Sequence, residues 1–285
     1  MTEIKIDVNY DFHDDKPEKC KKWDPDKQSE NLWDYHSVLW KKGVLEGLRK
    51  AKTEKRGKET ISGYLKLDIE DKNSQNGKIT LTLSSDNFEA LYRNYKRKNE
   101  KNKTAMGSQK EWKYVIGGSL LFPAFKQEKG RQTINQSRGI NKKVADRIDI
   151  TLLCIKLWYE KKEEYAKNPL RASLDQLENE KFFRLFGEGK EGFKNYIDFF
   201  FLKDFVNKYY EPINLFKHFY KKRKKLDEKI LEKTSNYPKD KKEWKNLYDN
   251  LKKCIRKRSK RIWEYLKEKQ GEKEFHFKIE QQKNG

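Results

Sequence analysis

The sequence predicts an α+β fold: a small sheet of about three to five strands packed on a long buried helix, with a helical C-terminal half. Three observations predict it. Apolar and polar residues alternate over Ile61–Ile69 and Lys78–Ser84 around Asn76-Gly77, which is a hairpin pattern. Tyr114, Val115, Ile116, Leu120, Leu121 and Phe122 form an apolar run of strand length, interrupted by Gly117-Gly118 and stopped by Pro123. Val144, Ile148, Leu152, Ile155 and Tyr159 then follow at spacings of four, four, three and four, with Ile150, Leu153 and Leu157 on the other side. A helix that is apolar nearly all round is a buried one.

In chain order, Met1 to Gln28 is rich in Asp and Lys and reads as an extended arm. Its His13, Asp14, Asp15, Asp24 and Asp26 are metal-ligand residue types without a metal-site spacing. A helix is expected from about Ser29 to Lys42, with Leu32, Trp33, His36, Leu39 and Trp40 on one face. Leu48 to Glu59 reads as a charged loop leading into the hairpin. Ser84-Ser85-Asp86 reads as the cap of a helix over Asn87–Asn99, followed by a basic loop over Lys96–Lys103. The paired Gly117-Gly118 mark a kinked strand, or a place where another backbone or a ligand comes close. Asn141 is the expected N-cap of the buried helix. Downstream, helices are expected over Leu170–Leu177, Glu180–Phe186, Phe193–Tyr209, Ile213–Thr234 and Asp240–Glu268. In the last, Trp244, Leu247, Tyr248, Leu251, Ile255, Ile262 and Leu266 form an inward stripe. No linker, composition shift or internal repeat divides the chain. One domain is expected: an N-terminal arm over 1–28, a sheet-containing part over 29–135, a helical part over 136–270 and a disordered tail over 271–285.

Composition narrows the function classes. The 285 residues are 34% hydrophobic and 13% aromatic, enough for a core, with Phe, Tyr and Trp supplying its bulk. Against 67 basic residues stand 45 acidic ones, for a net charge of +22, which favours polyanions or an acidic protein partner. Cys20, Cys154 and Cys254 are too few and scattered for a disulfide framework or a zinc site. The N-terminus has no secretory pattern and no apolar run is long enough to span a bilayer, so a cytoplasmic protein with no membrane partner is expected. There is no phosphate-binding Walker loop, no GxGxxG after a strand, no HExxH, no CxxC pair and no GxSxG. A nuclease built on scattered acids would leave no such signature.

The candidate site lies where the buried helix begins. Asp146 and Asp149, three residues apart, are expected on one helix face, with Arg147 turned elsewhere and Arg138-Gly139 just before. Buried charges need partners. One reading is an internal network in which Arg138 or Arg147 pairs with an acid. The other is an anion or phosphate site made by Thr133, Asn135, Arg138, Gly139 and Arg147 with free helix-start amides, Asp146 and Asp149 acting on a proton or holding a divalent cation. His36, on an apolar face, is a core histidine or a general acid or base. A second candidate surface is basic: Lys252, Lys253, Arg256, Lys257, Arg258, Lys260 and Arg261 put seven positive charges into ten residues, and Lys221, Lys222 and Arg223 precede them.

The runs IGGSLLFP, QTINQSRGINKKVADRIDITLLCI and FFRLFGEGKEGFKNYIDFFFLKDF resemble a family of uncharacterised bacterial proteins, a domain of unknown function. The resemblance extends from DPDKQSENLWDYHSVLWKK to IRKRSKRI and so covers most of the chain. It implies a single evolved unit and brings no activity. The family-like polar positions are Asp24, Asp26, Tyr35, His36, Ser85, Asp86, Thr133, Asn135, Arg138, Asp146, Arg147, Asp149 and Asp204. In IRKRSKRI, one of Arg258 and Arg261 is a candidate to turn inward to an acid such as Asp204. The leading expectation is nucleic-acid binding through the basic helices, with action at the Arg138–Asp149 site. The alternatives are an enzyme or sensor for a small phosphorylated ligand at that site, and a scaffold subunit for an acidic protein.

Overall fold

The computed structural model describes residues 5–20, 23–51, 54–56, 59–61, 65–72, 74, 77–88, 114–124, 132–161, 163–216 and 224–270. The fold is α+β. Helix α1 (Glu30–Leu39) is capped by the Ser29 hydroxyl, which accepts from Leu32 N at 3.0 Å, and it buries Leu32, Trp33, His36 and Leu39. The arm before it is pinned down by Ile6, Val8 and Phe12, all in the core. A four-stranded antiparallel sheet follows in the order β1 (Leu48–Lys50), β2 (Leu65–Glu70), β3 (Lys78–Asn87) and β4 (Ser119–Pro123). A separate two-stranded ribbon pairs Glu54–Arg56 with Glu59–Ile61.

The hairpin register runs from Leu65 opposite Leu83 to Glu70 opposite Lys78, and Gly77 takes a φ of 65° in the turn. Two expectations fail here. Leu48 to Lys50 is an edge strand and not loop, because Leu48 alone faces the core and two exposed basic residues complete the strand. Ser84, Ser85 and Asp86 are not a cap but part of β3, where they pair with Phe122, Leu121 and Leu120. On that strand Leu81 and Leu83 point inward, and the same face goes on to bury Ser85 and Asn87, so polar groups enter the core in strand alternation. The helix expected over Asn87–Asn99, the loop Lys96–Lys103 and the tail 271–285 lie outside the described residues.

After β4 come α2 (Ile134–Ile140) and α3 (Ile148–Glu160). Residue Asn141 therefore ends α2, and α3 starts at Ile148, four residues after the first member of its apolar stripe, Val144. The cause is a tight turn: Ala145 and Asp146 have φ of 53° and 57°, and Asp146 N donates back to Arg138 O at 2.9 Å. From Ile148 to Tyr159 every residue of α3 is buried, as its all-round apolarity requires. It packs on α5 (Gly189–Phe199), which with α4 (Leu177–Arg184) forms the helical half. The expected helix Phe193–Tyr209 stops at Phe199, and Phe201 adopts a φ of 54°. Among the described residues of 213–234 no α-helix forms. Ile213 bridges to Lys225 instead, and Glu228–Glu232 is a 3₁₀ turn capped by Asp227.

The last helix, α6 (Lys241–Gln270), buries the whole predicted stripe from Trp244 to Leu266. It crosses the Ile116–Gly118 turn so closely that a Cβ on Gly117 would lie 2.1 Å from Ser259 Oγ and 2.8 Å from Ile255 O. The glycine is there because a helix backbone passes it. One contiguous core extends from Ile6 to Leu266. Among the described residues no helix is long and apolar enough to cross a membrane.

Gly117→Ala must push α6 off its seat and is expected to cost about 1–3 kcal/mol in urea unfolding. Gly139→Ala, whose Cβ meets nothing within 4 Å, is expected to be neutral or to stabilise α2 by up to about 1 kcal/mol. Equal effects of the two substitutions would contradict this seating of α6.

Candidate functional site

Around the start of α3 the structure brings together Arg138, Asp146, Arg147 and Asp149, and it spends their polar atoms on one another. Arg138 is 0% exposed. Its Nε donates to Thr151 Oγ1 at 2.8 Å on α3, one Nη to Asp86 on β3, and the other to Asp146 O at 3.2 Å. The Asp146 carboxylate lies 3.5 Å from that second Nη. Burial pushes the guanidinium below its usual range, while Asp146, Tyr196 and Asp26 hold it up. A guanidinium has five N–H donors in a fixed fork, and this one is aimed at a strand, a turn and a helix at once.

Arg147, 1% exposed, is the N-cap residue of α3 and grips Asp149 with both arms of the fork, Nε to Oδ1 at 3.0 Å and Nη2 to Oδ2 at 2.6 Å. Its remaining Nη donates to Asn236 O at 3.3 Å, and its Cζ lies 3.8 Å over the Phe216 ring. The Asp149 oxygens also accept from Ile150 N at 3.1 Å and Leu215 N at 3.2 Å. Asn250 on α6 in turn donates to Leu215 O at 2.7 Å, so α6 supports the pair from behind.

The expectation that Asp146 and Asp149 share a helix face is therefore corrected: Asp146 precedes the helix in a left-handed turn. Thr133 caps α2 through a reciprocal box with Gln136, its Oγ1 accepting Gln136 N at 3.3 Å. Asn135 donates to Ser84 Oγ at 3.1 Å and Ser85 O at 3.3 Å. A Cβ at Gly139 would meet open space, so nothing there requires glycine. Among the described residues no group of three or more His, Cys, Asp or Glu is placed to hold a metal ion.

His36 is 0% exposed and uses both ring nitrogens internally. Trp40 Nε1 donates to its Nδ1 at 2.7 Å; an indole N–H only donates, so the ring proton sits on Nε2, which donates to Ser85 Oγ at 3.1 Å. Burial first, and the charge of Arg258 second, push the imidazole down to about 3.

On α6 the structure splits the basic residues that spacing groups together. Arg256, Lys257 and Lys260 are exposed, and Lys252 and Lys253 are partly so. Arg261 turns to the buried Asp204, with Nε to Oδ2 at 2.7 Å and Nη2 to Oδ1 at 3.4 Å. Arg258 is fully buried and donates to carbonyls: Phe200 O at 2.9 Å, Gly117 O at 2.9 Å and Ser119 O at 2.7 Å. Burial pushes it down to about 9. The signal was present in the spacing: 251, 255, 258, 262 and 266 are one helical stripe, which makes Arg258 a member of the inward face. Lys221, Lys222 and Arg223 lie outside the described residues.

Because the folded His36 value is below the usual 6.5, its contribution to stability is complete above about 6.5 and is lost as pH falls from there toward about 3. Over the full window that amounts to roughly 5 kcal/mol. Nitrogen shifts of the His36 ring, assigned with His36→Gln, are expected to show the neutral Nε2–H form still at pH 5. An imidazolium in folded protein at that pH would contradict the buried geometry.

A family model described as a family of unknown function (DUF6994) matches residues 6–262. That span takes in β1 to β4, the start of α3 and most of α6. No curated protein and no solved structure matches the chain.

Proposed function

We propose that this chain, which belongs to the family of unknown function DUF6994, is a nucleic-acid-binding protein whose contact surface is the solvent face of α6. The observation that carries the reading is the separation of charge by direction. Lys242, Lys253, Arg256, Lys257, Lys260 and Lys267 recur along one helical stripe, interrupted by Asp249 and Glu264, and none of the six is buried. At about 1.5 Å per residue the stripe is roughly 37 Å long, comparable with the ~34 Å of one duplex turn. Lys260 Nζ lies 3.7 Å from Glu264 with both side chains exposed, which is a weak pairing. The net charge of +22 adds attraction at longer range.

The reading with a small phosphorylated ligand at Arg138 has less support. Its two arginines are spent on Asp86, Asp146, Asp149 and Thr151, and both are buried. A phosphate there would have to break a paired network, so phosphate contact falls to the outward cations. No reaction is assigned to the Asp146 and Asp149 carboxylates.

The test is binding of labelled duplex DNA and of an RNA hairpin at two salt concentrations. Duplex affinity is expected to fall with a logarithmic slope of about −0.9 per phosphate contacted. Replacing Arg256, Lys257, Lys260 and Lys267 together by Gln should lessen that slope by at most about four units. Stability should shift by only about 0.5 kcal/mol per site, as for other surface changes. Absence of binding at low salt, or an unchanged slope in the fourfold variant, would remove α6 from the account.

A further inference from the structure

Among the described residues, apart from the buried arginines and the outward face of α6, Lys42 has an environment built of aromatic rings. Lys42 lies just beyond α1, and its Nζ is 3.8 Å from the ring centre of Tyr265, 4.3 Å from Phe201, 5.2 Å from Phe199 and 5.6 Å from Trp40. These rings come from three places: the end of α1, the end of α5 and the last turns of α6. The left-handed φ of 54° at Phe201, rare for a bulky residue, lets successive side chains diverge. Phe200 is wholly buried, while Phe201 stays partly exposed and reaches Lys42.

Lys42 itself is half-buried between the exposed Lys41 and Gly43, so its amine is partly desolvated and still reachable. Among the described residues no carboxylate pairs with it, and the charge that acts on it is another cation, Lys269. Tyr265, the other titratable group against it, is itself pushed up by burial. Burial first and Lys269 second push the Lys42 amine from 10.5 down to about 8. Desolvation by an apolar wall and a neighbouring cation are the two devices that turn a lysine into a nucleophile.

We propose that Lys42 is a nucleophilic amine site that forms an imine with a small planar aldehyde bearing an anionic group. Each part of that class answers a feature of the site. The amine takes the carbonyl carbon, the partly exposed rings of Phe199, Phe201 and Tyr265 stack a flat conjugated body, and Lys269 attracts the anion. In the step, the lone pair of neutral Nζ attacks the aldehyde carbon and gives a carbinolamine. The carbon–oxygen bond then breaks, the oxygen leaves as water with the two amine protons, and a C=N bond remains. No oxidant or reductant is consumed. The site stands apart from the nucleic-acid reading, and neither depends on the other.

Pyridoxal 5′-phosphate serves as the probe, with pyridoxal, which lacks the phosphate, as its control. The full chain is treated with about one equivalent of probe at pH 7.5, reduced with borohydride and mapped by peptide mass spectrometry. At that pH about a quarter of an amine titrating near 8 is neutral, against about one part in a thousand for an ordinary lysine. Weaker basicity offsets part of this advantage. Lys42 should therefore carry on the order of tenfold more label than Lys41 and other exposed lysines. Pyridoxal should label Lys42 several-fold less, and Lys42→Arg, which keeps a cation over the rings, should lose the label. The map of the unmodified protein decides the matter even if the variant fails to fold. Label spread evenly over exposed lysines, or equal labelling of Lys42 by both probes, overturns the proposal.

Discussion

Three guanidinium groups with at most 1% exposure, those of Arg138, Arg147 and Arg258, set the constraint on which the rest of the structure depends. A charge removed from water is tolerated only where its donors are met. The chain meets the demand in three ways. Arg138 is held by acids from β3 and from the turn before α3, Arg147 by the two oxygens of Asp149, and Arg258 by main-chain carbonyls. Each guanidinium also makes a contact to a segment far away in sequence. Arg138 links the sheet to α3, Arg147 links α3 to Asn236 in the segment before α6, and Arg258 locks α6 against the Ile116–Gly118 turn.

This constraint also sorts the cations by role. Those bonded inside hold the fold together: Arg138 and Arg147 through acids, and Arg258 through carbonyls that take its Nε and one Nη while the other Nη is buried without a partner among the described residues. Those on the open side of α6, such as Arg256, Lys257 and Lys260, keep their side chains at the surface. Lys42 falls between the two groups, held over aromatic rings without a carboxylate among the described residues. A buried charge network next to a strained turn at Ala145 and Asp146 resembles a catalytic site in its residue types alone. What distinguishes it is saturation: Asp149 accepts from Arg147, Ile150 and Leu215 together.

Periodicity made much of the fold legible. The stripes of α1 and α6 and the all-round apolarity of α3 follow from burial, and burial is what hydrophobic spacing reports. The candidate site was legible as a set of residues and not as a geometry. Arg138, Asp146, Arg147 and Asp149 do converge, but the left-handed turn that separates Asp146 from α3 is stabilised by a backbone bond from Asp146 to Arg138 O, which no spacing reveals. Ser84-Ser85-Asp86 read as a cap because those residue types serve both ends. Tertiary pairing with β4 decided the matter, since Asp86 lies opposite Leu120 and reaches Arg138 on the other face. Among the described residues of Ile213–Thr234 the expected helix is absent for a similar reason, Ile213 being claimed by a bridge and Leu215 by the Asp149 contact.

A double-mutant cycle between Arg138 and Asp86, read by urea unfolding, tests the central claim most directly. If the buried guanidinium ties the sheet to α3, Arg138→Ala should cost about 3–5 kcal/mol. Asp86→Ala should then cost much less in that background than in the wild type, with a coupling of about 2 kcal/mol or more. A folded Arg138→Ala protein of wild-type stability, with additive effects of the two substitutions, would contradict it.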